Sequence, residues 1–279
     1  MPDANAIPVI DLGPYLAGEP GALDRAAAEL RHALTEIGFY TIVNHGVPSA
    51  LVHEVYYQVA RFHTRPLEEK LRIKLDKHNV GYLSMMGDTL RTSVVANVTK
   101  PNMSEAFFMA RDLAPDHPDV VSGRRFRSAN QWPDGLLGFR EPLVAYCDAL
   151  ERLVQRLVRV YARALDVPGL AFRTQAGDWI EVPTVPDAFI VNGGQLLLRW
   201  TNDRFLATPH RAVNRTGGER YALAFFCDAQ IDWPIAAVPT CVSPGRLPQY
   251  ETTYYTDYMI RYQAQTYNVF DDQAKDAAE

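Results

Sequence analysis

Apolar residues recur along this chain with two different periods, and the change from one to the other divides it. In the first part the period is helical. Leu23, Ala27, Leu30, Leu34 and Ile37 fall on one stripe, which predicts an amphipathic helix closed by Gly38. Val52, Val55, Val59 and Phe62 repeat the pattern in a helix whose first turn takes Pro48. The longest such run extends from Phe139 to Val167. There Leu143, Cys147, Leu150, Val154, Leu157, Tyr161 and Leu165 form the inner stripe, and Arg152, Arg156, Arg159 and Arg163 the outer face. Between these lie a short edge strand, Ile7–Leu12, a five-residue strand, Phe39–Val43, and the turn Asn44–Pro48. A short charged helix is expected over Leu67–Leu75, a polar loop over Asn79–Thr92, and mostly loop with short strands over Val94–Asn130.

From Gly177 the rhythm changes. Gly177–Val182 reads as a strand, and Ala188–Val191, Leu196–Leu198, Phe205–Leu206 and Tyr221–Phe226 are short apolar runs. Gly193-Gly194, Thr201-Asn202-Asp203 and Gly217-Gly218 separate them. Short strands between turn residues predict an antiparallel sandwich or barrel. The tyrosines Tyr254, Tyr255, Tyr258 and Tyr262 suggest a closing helix, and the polar DDQAKDAAE end a frayed one. No repeat or linker interrupts the chain, so a single domain is expected, with an N-terminal mixed region over 7–172, a β region over 173–230 and a helical tail over 231–279.

Composition narrows the function classes. The formal charge of −5 over 279 residues gives no electrostatic case for nucleic acid or an anionic membrane. No apolar run reaches the roughly 20 residues of a membrane span, and the first residues lack the basic and apolar regions of a signal peptide. Cys147, Cys227 and Cys241 are odd in number and show no paired spacing, which suits reduced thiols in the cytoplasm.

Two residues in the β region can carry chemistry. His210 and Arg220 stand ten positions apart across the Gly217-Gly218 turn. An imidazole there suits a metal, and a guanidinium suits a carboxylate. Each also has a plain reading: His210 as a strand histidine at a hairpin, Arg220 as an arginine paired with Glu219 or Asp203. His45 reads as a turn histidine satisfied by backbone. His32, His53, His63 and His78 show no paired spacing and read as structural or surface residues.

Longer stretches resemble a known family. The opening I-P-V-I-D-L, the helix ending E-I-G-F-Y, V-N-H-G-V-P (Val43–Pro48) and F-R-E-P-L-V-A-Y are similar to the N-terminal region of the isopenicillin N synthase-like Fe(II)- and 2-oxoglutarate-dependent oxygenases. Downstream, G-D-W-I-E-V-P, F-I-V-N-G-G, R-W-T-N-D-R-F, T-P-H-R-A-V-N-R and E-R-Y-A-L-A-F-F resemble the second half of that family's double-stranded β-helix. The resemblance implies an α+β fold with a mainly β jelly-roll core and N-terminal helices. It also implies Fe(II) and 2-oxoglutarate as cofactors, and hydroxylation, desaturation or cyclisation of a small organic substrate. Family iron sits on two histidines and a carboxylate, supplied by an H-x-D motif and a later lone histidine. His210 matches the late histidine, and Arg220 matches the arginine of an R-x-S motif that receives the distal carboxylate of 2-oxoglutarate.

Two departures stand out. The serine of R-x-S is Ala222 here, and a hydrogen bond to a charged group is worth roughly 1.5–3 kcal/mol, or about tenfold in affinity. The H-x-D motif should lie between the long helix and the G-D-W strand, but only Arg173–Asp178 separates Phe172 from Trp179. The early barrel strands are therefore expected to be missing, and Asp148 and Asp178 have no motif behind them as replacements. The one literal H-x-D, His117-Pro118-Asp119, has proline at its centre and fits a turn. The alternative is a degenerate, inactive relative serving as a binding or scaffold protein. A barrel short of strands exposes edges, so an oligomer covering them is expected. Arg91 and the tail tyrosines are the candidate substrate contacts.

Overall fold

The computed structural model describes residues 7–89, 100–165, 185–210 and 217–267. In chain order the elements are β1 (Val9–Asp11), α1 (Gly13–Leu16), α2 (Ala22–Glu36), β2 (Phe39–Val43), α3 (Ser49–His63), α4 (Leu67–Lys70), β3 (Gly81–Leu83) and β4 (Ala106–Phe108). There follow α5 (Pro118–Val121), α6 (Arg140–Leu165), β5 (Phe189–Asn192), α7 (Gln195–Trp200), β6 (Pro234–Ile235), β7 (Thr253–Tyr254) and α8 (Tyr255–Thr266). Contacts gather them into two units, one of residues 1–49, 149–212 and 234–253, the other of 50–148, 213–233 and 254–279.

The first unit is built on the sheet β1-β2-β5, with β1 parallel and β5 antiparallel to the central β2. Strand β2 is the one the sequence makes most apolar, and its Tyr40, Thr41 and Ile42 are buried. Helix α2 buries Ala22, Ala26, Ala27, Leu30, Ala33 and Leu34; of the stripe its period predicts, Ala27, Leu30 and Leu34 are buried, and Leu23 and Ile37 are half-buried at its ends. Each fully buried leucine contributes roughly 1.5–3 kcal/mol. Tyr40 meets Tyr161 of α6 hydroxyl to hydroxyl at 2.9 Å, which satisfies two phenols in an otherwise apolar layer.

The end of α2 sets the course of a distant segment. Gly38 has φ +82, and a Cβ there would collide with the Thr208 hydroxyl and the Leu206 backbone. Without that Cβ, residues 206–208 pass close beneath the helix end: the Leu206 amide donates to Leu34 O at 2.9 Å, and Thr208 Oγ1 donates to Ile37 O at 2.5 Å. The next turn is held by Asn202, wholly buried with φ +52. Its amide nitrogen donates to Cys241 O and Leu247 O, and its oxygen accepts from Gln249 N at 2.8 Å.

The second unit packs around aromatic residues. Val55, Phe62, Tyr82, Phe139 and Leu143 are buried, with Phe107, Trp132 and Leu223 against them. Phe62 contacts the rings of Tyr82, Phe107 and Phe139 at centroid distances of 5.9, 5.1 and 5.5 Å. Strands β3 and β4 form the two-stranded sheet that carries two of these rings.

Several expectations change. The charged helix shortens to α4 and a single 3₁₀ turn, Leu71–Ile73. The loop expected over Asn79–Thr92 contains β3, because Tyr82 is drawn into the aromatic core. Leu196–Leu198 is not a strand: it lies in α7, where Gln, Leu and Arg favour a helix and no β-branched residue opposes it. Phe205–Leu206 has no ladder either, since Phe205 N is taken by Thr201 Oγ1 at 3.0 Å. Tyr221–Phe226 forms no strand with any described residue. The described residues form no closed barrel. Gly177–Val182, Asp178, Arg91 and the final DDQAKDAAE lie outside the described residues.

Candidate functional site

His210 belongs to the first unit and is exposed. It is held from below by Thr208, whose hydroxyl reaches the end of α2, and from the side by Phe39, whose ring meets the imidazole edge-on at 5.4 Å. Its Nδ1 lies 3.2 Å from Thr208 O and 3.4 Å from the Asn192 side-chain amide. With the proton on Nδ1, the ring donates to the Thr208 carbonyl and Nε2 keeps an open lone pair. A metal-binding histidine is usually oriented in this way, its second nitrogen tied to a backbone carbonyl.

One imidazole is nonetheless not a metal site. Among the described residues no three His, Cys, Asp or Glu side chains gather to hold an ion. A facial triad needs two more donors than His210 supplies, so these residues do not fit Fe(II). The literal H-x-D segment performs another task. His117 is the N-cap of α5, its Nδ1 accepting from Asp119 N at 3.2 Å, while Asp119 pairs with Arg124 at 3.1 Å. His45 is fully engaged as a turn residue. Its Nδ1 accepts from Val47 N at 3.2 Å, so the proton is on Nε2, which donates to Asp187 O at 2.9 Å. The ring stacks on Phe189 at 4.1 Å.

Arg220 belongs to the second unit. It lies on the segment after Gly217-Gly218, is exposed, and forms no ion pair with another described residue. Of the two partners expected for it, Glu219 instead accepts from the Tyr221 hydroxyl at 2.9 Å and Asp203 from the Tyr250 hydroxyl at 2.5 Å. The guanidinium therefore suits a carboxylate ligand. Cavities of about 330 and 180 Å³ occur elsewhere, lined around Arg124 and Asp232 and around His45 and Arg156; neither includes His210 or Arg220.

Sequence reasoning missed a polar cluster in the second unit. Glu105 Oε2 accepts from Lys70 Nζ at 2.8 Å and from the Tyr82 hydroxyl. Lys70 also donates to His63 O at 3.0 Å, and its ammonium lies over the Tyr82 ring. His63 Nδ1 approaches Glu105 Oε1 at 3.1 Å, too obliquely for a hydrogen bond, so the contact is electrostatic. Burial pushes the Glu105 carboxyl up, but the Lys70 and Tyr82 hydrogen bonds and the charges of His63 and Lys70 outweigh it and hold it low. Burial lowers His63 against the opposing pull of Glu105. These residues come from three separate elements and the connection before β4, and no local spacing announces them.

The comparisons with known proteins agree with the family resemblance. Residues 7–135 match the family model described as the N-terminal region of non-haem dioxygenase in morphine synthesis, and residues 157–229 match the 2OG-Fe(II) oxygenase superfamily. His210 and Arg220 both fall in the second match. The 2-oxoglutarate-Fe(II) type oxidoreductase hxnY of Emericella nidulans is 26% identical, over 99% of this chain and 94% of its own. The 2-oxoglutarate-dependent dioxygenase tropC of Talaromyces stipitatus is 25% identical, over 83% and 89%. Among solved structures, a full-length Neurospora crassa protein in complex with alpha-KG superposes with a TM-score of 0.76 at 21% identity, over 95% of this chain and 98% of that one. A 2OG-Fe(II) oxygenase family protein from Caulobacter crescentus gives 0.76 at 20%, over 94% and 99%. The alignment with hxnY runs to 334 positions and this chain has 279 residues, so at least 55 positions have no counterpart here. The fold is thus that of these oxygenases, whose cofactors are Fe(II) and 2-oxoglutarate, and the chain belongs to the Fe(II)- and 2-oxoglutarate-dependent oxygenase family.

Proposed function

We propose that this protein is an oxygenase directed at a small organic molecule, with His210 as a metal ligand and Arg220 receiving the distal carboxylate of 2-oxoglutarate. We propose further that its iron site is incomplete within this chain. The observation that carries the reading is the placement of the two side chains: His210 has Nδ1 against the Thr208 carbonyl and no described partner at Nε2, and Arg220 is exposed and without ion pairs to described residues. Bound iron and 2-oxoglutarate together supply the oxidising power of the family. The part of this chain's residues is to accept the cosubstrate carboxylate and offer one imidazole.

The absence of any H-x-D between α6 and β5 supports the second half of the proposal. Losing a single outer partner already lowers metal affinity about 10–100-fold, and a missing ligand costs more. Supplied with Fe(II), ascorbate and 2-oxoglutarate, the chain is expected to form succinate at background level and to lose iron on desalting. Iron-dependent succinate that disappears in His210→Ala would show a complete ligand set and overturn the incomplete-site reading. A cytoplasmic location is part of the same proposal, supported by cysteines that form no disulfide; among described residues no helix is long and apolar enough to cross a membrane. So is self-association through exposed apolar edges, with Val9 49%, Ile190 55% and Phe226 75% exposed. A monomer in sedimentation would refute it.

A further inference from the structure

The segment Glu219–Ala224 lacks a ladder among described residues, yet its side chains alternate. Tyr221 and Leu223 are half-buried, whereas Arg220, Ala222 and Ala224 are exposed. The alternation has the period of two that a strand shows, and a shift of one residue would exchange the two faces. Contacts of its inner face hold this alternation. Leu223 packs on the aromatic core of the second unit. The Tyr221 ring lies 6.2 Å from that of His63, and its hydroxyl donates to Glu219 Oε2. His63 in turn is seated by Glu105 and Lys70, and the Glu219 charge also acts on it.

We infer that Tyr221 is a positioning residue for 2-oxoglutarate: its ring, seated against the His63–Glu105–Lys70 cluster, sets the register that turns Arg220 outward. This rests on the reading of Arg220 as the cosubstrate anchor. The Tyr221 hydroxyl has a second effect, since it occupies the Glu219 carboxylate next to the guanidinium. The ring carries the register and the hydroxyl only tethers the acid, so Tyr221→Phe and Tyr221→Ala separate the two.

The test is calorimetric titration of the full chain with 2-oxoglutarate in the presence of a chelator, with thermal melts run alongside. The native chain is expected to bind, and Arg220→Ala to abolish the signal. Tyr221→Ala should weaken binding at least tenfold while melting cooperatively, and Tyr221→Phe should restore it to within about threefold of native, the hydroxyl tether being a modest contribution. If the native chain and Tyr221→Ala bind alike while Arg220→Ala does not bind, the positioning role is overturned and the anchor stands. If Tyr221→Phe is as weak as Tyr221→Ala, the ring does not carry the register and the inference also fails. If the native chain gives no signal, or Arg220→Ala binds as well as native, the anchor reading itself falls and the inference with it.

Discussion

Replacing Glu105 by glutamine tests whether the polar cluster of the second unit is held by charge. Lys70 is 8% exposed at its side chain and Glu105 19%, so solvent screens their contact little. Glutamine keeps the shape and an acceptor for the Tyr82 hydroxyl, but leaves the Lys70 ammonium buried without a counter-ion. Removing one member of a buried pair typically costs about 3–5 kcal/mol. In a chain of this size each kcal/mol moves the melting temperature by about 2–4 °C, so a fall of roughly 6–20 °C is expected. Urea denaturation at pH 7, followed by far-UV circular dichroism, measures it directly. Lys70→Met with Glu105→Leu should recover much of the loss, because an apolar pair has no charge to desolvate. A Glu105→Gln variant within about 1 kcal/mol of native, or a double variant worse than the single, would refute the reasoning.

The same cluster fixes the sign of a pH dependence. The folded His63 has a lowered pKa, so as the pH falls through its ordinary value of 6.5 the unfolded chain takes up a proton that the folded chain refuses. Stability should decline from that point downward, and His63→Gln should remove this part of the decline in urea midpoints between pH 7 and 5. The Glu105 carboxyl is held low, so its contribution is complete above its ordinary value of 4.5 and is lost as the pH falls through the folded value. His45→Ala should cost about 2–4 kcal/mol in urea titration, since it strips partners from the Val47 amide and the Asp187 carbonyl. Asn202→Ala strips the side-chain partner from the Cys241 carbonyl and the Gln249 amide, leaves Leu247 O only its bond from the Gln249 side chain, and puts alanine at φ +52, so it should cost about 3 kcal/mol or more. It should also open the buried Cys241 to a thiol reagent, and unchanged labelling would contradict it.

What is legible in the sequence, and what is not, follows from the range of the interactions involved. The helices α2 and α6 and the edge strand β1 are readable because each buries one face whose period is local, and β2 because its short apolar run is buried on both faces. His45 is readable for a related reason: its partners, apart from Asp187, lie within its own turn. Leu196–Leu198 misleads because three apolar residues fit a strand and a helix equally well, and Gly194 before them opens α7 as readily as it ends β5. The Glu105 cluster has no sequence signal at all, since His63, Lys70, Tyr82 and Glu105 come together only after α3, α4, β3 and β4 have packed. His210 shows where the two kinds of information meet. Its identity is visible from motif and family, but its orientation depends on Gly38 allowing Thr208 under the end of α2, where its hydroxyl bonds a carbonyl 171 residues away. A residue can therefore match a family pattern and hold one ring nitrogen against a backbone carbonyl, while the further donors that a metal needs are not gathered beside it among the described residues.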